Sequence, residues 1–212
     1  MKKIAGLFAA LLFAATGVQA EEPAAPLSRF SLGAHLSYWN ARDLDHLDLD
    51  GAIGGGVIGQ IRLFKHLALE LRMGGYGAGS SEEVYLAGEG WYENETVIVC
   101  MPLEAGLVAF LPLGDTFSLF GGPGVGRYFF DGEFRRRQGP VETTIDMDLG
   151  EETGFYALLG ARAQLARNAA LFFEGQYTWV ETSLAHAVGP FEASQDLDFS
   201  GLSFSAGMLF TF

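Results

Sequence analysis

The chain has 212 residues, with 26 aspartates and glutamates against 13 lysines and arginines, a formal net charge of −13. So acidic a chain excludes nucleic acid as a partner, because that binding needs clustered positive charge. Its single cysteine, Cys100, excludes an intramolecular disulfide.

The amino terminus gives the address. Met1-Lys2-Lys3 is a short basic region, followed by the apolar run Ile4 to Ala15 and the small-residue pattern Val18-x-Ala20. That is the build of a secretory signal peptide, and the run falls short of the ~20 apolar residues a spanning helix needs. Residues 1–20 are therefore expected to be removed on export, with Glu21 the first mature residue. Residues 21–28, with Pro23 and Pro26, read as an irregular lead-in, and 29–212 as one β domain.

From there the apolar residues recur at every second position, the period of a strand with two unlike faces. The first strand, Arg29 to Trp39, sets Phe30, Leu32, Ala34, Leu36 and Tyr38 against Ser31, Gly33, His35, Ser37 and Trp39. An acidic loop follows, with Asp43, Asp45, Asp48 and Asp50. The second strand, Ile53 to Phe64, opposes Val57, Ile61 and Leu63 to Gln60 and Arg62, and a tight turn at Lys65-His66 leads into the third, Leu67 to Gly77. There Leu67, Leu69, Leu71 and Met73 face one way and Glu70, Arg72 and Tyr76 the other. Gly79 to Asn94 reads as a polar loop. The fourth strand, Glu95 to Phe110, has Val97, Val99, Met101, Leu103 and Leu107 on one face and Cys100, Pro102, Glu104 and Gly106 on the other.

Beyond the short turn Leu111 to Asp115, the fifth strand, Thr116 to Phe130, is too rich in glycine for its faces to be assigned, and Pro123 is expected at a bulge. Asp131 to Thr153 reads as the longest loop. The sixth strand, Gly154 to Leu165, opposes Phe155, Ala157 and Leu159 to Tyr156, Arg162 and Gln164, and a turn at Ala166 to Asn168 follows. The seventh, Ala169 to Glu181, opposes Leu171, Phe173, Tyr177 and Trp179 to Glu174, Gln176 and Thr178. After the loop Thr182 to Gln195, the last stretch alternates Leu202, Phe204, Ala206, Met208, Phe210 and Phe212 with small or polar residues. This row is roughly 33 Å long, and tilted by about 40° it covers the ~25 Å apolar band of an outer-membrane barrel.

Three observations separate a membrane barrel from a soluble one. Connections after odd-numbered strands are long and those after even-numbered strands short, the arrangement of extracellular loops and periplasmic turns. Most acidic residues lie in the loops, while the faces opposite the apolar rows carry Arg62, Arg72 and Arg162 with Glu70, Glu104 and Glu174. Such buried charges must pair. Aromatics also gather toward strand ends, Tyr38, Trp39, Tyr128, Phe129, Phe155, Tyr156, Tyr177 and Trp179 at one side and Phe64, Phe110, Phe117, Phe210 and Phe212 at the other, as two interfacial girdles would. The expected fold is all-β, an eight-stranded antiparallel transmembrane barrel with short periplasmic turns and four longer extracellular loops.

The signal peptide, the strand spacing, the segment PLEAGLVAFLP at Pro102 to Pro112 and the final SGLSFSAGMLFTF together resemble the small outer-membrane barrels of the OmpA/OmpX type. The resemblance implies an outer-membrane address after export, contact with outer-membrane lipids and lipopolysaccharide, and assembly by machinery that reads Phe210 and Phe212 as a signal.

Eight strands enclose a lumen just wide enough for side chains to fill. The Arg/Glu set is therefore expected to close it, with Gln60, Gln164 and Gln176 completing the hydrogen bonds. The expected function is structural or surface-interacting, in a monomer without catalytic residues, metal or cofactor. Two alternatives stand beside it. One is a small ion-conducting pore along the same residues. The other is a lipid A-modifying barrel enzyme, for which His35 and Ser37, on one face of the first strand, are the sole arrangement of note. The segment Asp43 to Gly51 does not match an EF-hand, and a solvated acidic loop is expected there. Arg135-Arg136-Arg137 either meets lipopolysaccharide phosphates or pairs with neighbouring carboxylates. Cys100 is expected to be buried and inert.

Overall fold

The computed structural model describes residues 30–42, 49, 51–86, 90–139, 141–147, 149–183 and 196–212. Eleven strands are formed among them: β1 (Phe30–Ala41), β2 (Ala52–Phe64), β3 (Leu67–Leu86), β4 (Gly90–Leu113), β5 (Phe117–Gln138), β6 (Val141–Met147), β7 (Glu151–Ala166), β8 (Ala169–Trp179), β9 (Glu181–Ser183), β10 (Asp196–Asp198) and β11 (Gly201–Thr211). Eight of them, β1, β2, β3, β4, β5, β7, β8 and β11, pair antiparallel with their neighbours in a closed ring. The ring closes where β1 meets β11, in register from Ser31↔Thr211 to Ala41↔Gly201. One further bond, Phe212 N–H to the Phe30 carbonyl at 2.9 Å, ties off the seam. No strand edge of the ring is thus left in lipid, where an unsatisfied backbone group costs several kcal/mol.

The strands exist because alternate residues suit two different solvents. Along β1 the exposed residues are Phe30, Leu32, Ala34, Leu36 and Tyr38, and Ser31, Gly33, Ser37 and Trp39 are buried between them. Leu36 and Ile53, at 76% and 73% exposed, would be costly in water and are at home against acyl chains. β5, whose faces the sequence left open, follows the same rule: Phe117, Leu119, Val125 and Phe129 are exposed, and Phe120, Gly122, Gly126, Tyr128 and Phe130 are buried.

Pro123 is not at a bulge. The β4–β5 register is unchanged on either side of it, from Gly106↔Gly124 to Ala109↔Gly121, and the ladder simply skips the pairs between. Pro102 leaves a similar gap in β3–β4 between Met73↔Leu103 and Tyr76↔Cys100. Each proline lacks an N–H, so one ladder bond is lost without a change of register. The bulges lie instead near the periplasmic turns, between Arg62 and Phe64 in β2 and between Gln164 and Ala166 in β7.

The girdles also need correcting. Trp39, Tyr128, Tyr156 and Phe110 turn into the barrel, the first three being 4%, 2% and 2% exposed. Tyr38, Phe129, Phe155 and Trp179 remain outside at the upper end, and Phe64, Phe117, Phe210 and Phe212 at the lower end.

The largest departure is above the membrane. Much of Gly79 to Asn94, expected to be loop, is a hairpin: β3 and β4 stay paired from Gly79↔Val97 to Leu86↔Gly90. β5 continues to Gln138, stays paired with β4 as far as Arg137↔Glu93, and trades β7 for β6 as its other neighbour. The upper halves of β3, β4 and β5 with β6 form a four-stranded wing that continues the barrel wall upward, its base packed through Phe134 and Met147 into the buried cluster at the top of the lumen.

Candidate functional site: the lumen

Inward parity gathers side chains from every wall of the barrel. At mid-height Arg72 of β3 is 5% exposed, and Glu70 and Glu174 are 1% exposed each. Arg72 donates from Nε to Glu70 Oε1 at 2.6 Å and from Nη2 to Glu174 Oε2 at 2.6 Å, and its Nη1 donates to Gln176 Oε1 at 3.2 Å. Two glutamines bridge the rest. Gln60 donates to Glu70 Oε2 at 2.5 Å and accepts from Arg162 Nη2 at 2.9 Å. Gln176 donates to Glu104 Oε1 at 2.8 Å, which also accepts the Tyr128 hydroxyl at 2.7 Å. Charge-assisted bonds of this length are among the stronger ones available to a protein.

The expected residues are not all treated alike. Glu70, Arg72, Glu174, Glu104 and Arg162 share one connected network, but Arg62 stays out of it. Arg62 lies nearer the periplasmic end, its guanidinium over the Phe110 ring at 5.7 Å. Arg162 faces the same ring at 4.9 Å and Phe120 at 5.5 Å. Gln164 is also apart, donating to the Ala166 carbonyl at 2.6 Å. Tyr128 was missed because β5 had no assigned face; the exposed Val125 and Phe129 around it carry the missing signal.

Apolar layers lie on both sides of the ionic belt. Below it, Ile58, Val108, Phe120, Tyr156, Leu158, Phe172 and Leu209 pack together. Gly106 and Gly124 make room for Tyr156: a β-carbon on Gly106 would come within 2.5 Å of its hydroxyl, and one on Gly124 would enter its ring. Above the belt, Trp39, Ile98, Cys100, Tyr128 and Phe130 meet Leu49, Leu149, Leu197 and Phe199, which come from the connecting segments. Phe199 stacks on Phe130 at 4.7 Å between ring centres. Its neighbour Ser200 fixes it there, accepting Val180 N–H at 3.0 Å, while the Ser200 carbonyl accepts Arg42 N–H at 3.1 Å. Two cavities of ≈ 10 Å³ each remain at this level, one walled by Trp39, Tyr76, Cys100 and Phe199, the other by Trp39, Glu104, Tyr128 and Gln176. Each has room for about one water molecule.

Ser37 accepts the Ser205 hydroxyl at 3.2 Å. His35 Nδ1 is buried with no hydrogen-bond partner among the described residues, and no bond joins it to Ser37. Base and nucleophile share a face without forming a dyad. No group of three His, Cys, Asp or Glu side chains among the described residues is placed to hold a metal. Asp43, Asp45, Asp48 and Asp50 lie outside the described residues.

Arg135, Arg136 and Arg137, at the end of β5, pair within the wing. Arg135 binds Glu133 and approaches Glu95 at 3.6 Å; Arg137 reaches Glu142 at 3.2 Å. Arg136, on the other face, bonds Asn94 at 3.0 Å and lies over Tyr92 and Phe134. The hydrogen bond from Arg135 holds the Glu133 carboxyl below the usual glutamate range.

The sequence profile of the outer membrane protein beta-barrel domain matches residues 6–210. Among solved structures, the neisserial surface protein A (NspA) superposes with a TM-score of 0.53 at 11% identity, over 86% of this chain and 97% of its own. AlkL, an outer membrane protein studied in DMPC bilayers, gives 0.50 at 12% identity, over 92% of this chain and 95% of its own. At such identities the likeness is one of fold alone. A search of curated proteins finds no match.

Proposed function

The chain belongs to the outer-membrane β-barrel domain family, and from that premise we propose that its barrel is a closed support whose working surface is the part outside the cell. The observation that carries this is the layering of the lumen. An ionic belt around Arg72 lies between two apolar layers, and the upper layer is sealed by Leu49, Leu149, Leu197 and Phe199. An ion crossing it would have to leave water twice against apolar walls, at a prohibitive cost. The network of Glu70, Arg72, Glu104, Arg162 and Glu174 then holds the walls together from within. On this reading the protein is a monomer without catalysis. Its signal peptide is removed after Ala20, its outer row meets lipid and lipopolysaccharide, and Phe210 and Phe212 serve recognition by the assembly machinery.

Orientation is the testable core. Thr143, exposed on β6, and Asp115, in the turn between β4 and β5, mark opposite ends of the molecule. Cys100 is 3% exposed, and its burial is expected to keep it from the label. On intact cells a membrane-impermeant maleimide is expected to label Thr143→Cys, and Asp115→Cys only after the outer membrane is opened. The reverse pattern would overturn the surface role.

A further inference from the structure

We propose that the tip of the β3–β4 hairpin is a docking point for a basic polypeptide, taking an arginine or lysine side chain against Tyr85 and Trp91 beside Glu83 and Glu93. This rests on the surface reading above and names the partner class for it.

The register sets Tyr85 directly opposite Trp91 and Glu83 opposite Glu93. Two successive cross-strand pairs whose members are two residues apart share one face of the sheet. By parity it is the face continuous with Leu67, Leu71 and Met73 below. The two rings are 5.2 Å apart and tilted by 57°, an open wedge, and they are 59% and 65% exposed. They are not a membrane anchor. Met101, paired with Phe129 of the upper girdle, is ten residues down the strand from Trp91, which puts the wedge about 25 Å above the girdle in a tilted strand. Two large rings are thus held open to water far from any lipid.

The carboxylates beside them are short of cations. Like charges placed directly opposite one another across a ladder destabilise it. Glu93 faces Arg137 across the β4–β5 ladder in a long ion pair of 4.0 Å and takes the Ser81 hydroxyl at 3.4 Å. Arg137 is shared with Glu142, which it meets more closely at 3.2 Å, so one cation serves two carboxylates. Arg135 is held by Glu133, and Arg136 lies on the other face. Glu83 has no ion-pair partner among the described residues. A guanidinium or ammonium entering the wedge would meet both ring faces, which attract cations through their quadrupole, and would separate the two carboxylates. Arginine suits it best, being planar and weakly hydrated. The net charge of −13 turns anionic partners away and speeds the approach of basic ones.

The test measures binding of fluorescent hexa-arginine to the whole refolded protein in zwitterionic micelles at moderate salt. It needs no cell, so it can fail while the orientation test succeeds. Tyr85→Ala with Trp91→Ala, and separately Glu83→Gln with Glu93→Gln, are each expected to weaken binding about tenfold or more. Glu82→Gln with Asp146→Asn removes two charges elsewhere on the wing, one from the opposite face and one from β6 beside Glu133, far down the ladder from the wedge, and should weaken it less than about threefold. All sites are solvent-facing, and unchanged heat-modifiable mobility reports an intact barrel in each variant. Equal losses in the two charge variants would mean diffuse attraction and overturn the proposal. So would full binding without the rings, or tighter binding of a neutral oligosaccharide than of the peptide.

Discussion

Replacing Arg72 by methionine keeps much of the side-chain volume and removes the cation that directly binds both Glu70 and Glu174. Both carboxylates are 1% exposed, and their bonds to Arg72 are 2.5–2.6 Å long. Breaking a buried pair by deleting one partner costs about 3–5 kcal/mol, because the other charge is left uncompensated. Here one deletion strands two charges, so the loss should sit near the top of that range, about 5 kcal/mol. Arg72→Met combined with Glu70→Gln and Glu174→Gln removes this cation together with both carboxylates that bind it and should recover most of the loss, since neutral replacements of buried ion pairs are often tolerated. Equilibrium unfolding in urea, followed by tryptophan fluorescence in lipid vesicles, measures both. A cost below about 1 kcal/mol for the single variant would mean a wet lumen with solvated charges. A triple variant no more stable than the single one would refute the pairing argument itself.

Other expectations follow from the same packing. Phe199→Ala should cost about 3–5 kcal/mol, as buried Phe truncations do, and should make Cys100 react with a small thiol reagent within the folded state. Gly124→Ala should lower stability by about 1–3 kcal/mol through its clash with Tyr156, and far less in a Tyr156→Leu background, a coupling that a double-mutant cycle reads directly. Glu133 has a folded pKa lowered from its ordinary 4.5 by the Arg135 bond, so its contribution is present above that value and lost as pH falls through the lowered one. Exchange protection of the β6 amides should therefore be flat above the ordinary glutamate value of 4.5 and decline as the pH falls below it. Deleting Phe212 removes one backbone bond and an exposed ring 6.3 Å from Phe30. It should slow insertion in cells more than it lowers the stability of the refolded barrel.

What the sequence makes legible follows from what each segment is dissolved in. Within the membrane every second residue must be apolar, so Phe30 to Tyr38 and Leu202 to Phe212 disclose strand, face and mutual pairing. Above the membrane that constraint ends. The outward row of β4 changes from Val97 and Val99 to Glu93 and Glu95, the alternation loses its contrast, and the wing looks like loop. Tyr128 and Tyr156 show a second limit. An aromatic near a strand end fits a girdle or a filled lumen equally well, and the glycines that clear space for Tyr156, Gly106 and Gly124, belong to strands far away from it in sequence. The ionic belt was legible as inward Arg and Glu residues. Which of them meet was not, because alternation says nothing of height, and height leaves Arg62 with Phe110 instead of with Glu70.

The most direct test of the closed barrel is single-channel recording of the refolded protein in planar lipid bilayers at 1 M potassium chloride. The layered lumen predicts a membrane that stays silent, and silent still for Phe199→Ala, because the lower apolar layer around Phe120 and Phe172 remains. Steady openings from the unmodified chain, lost on Arg72→Ala or Glu104→Ala, would contradict it and make the ionic belt the wall of a pore.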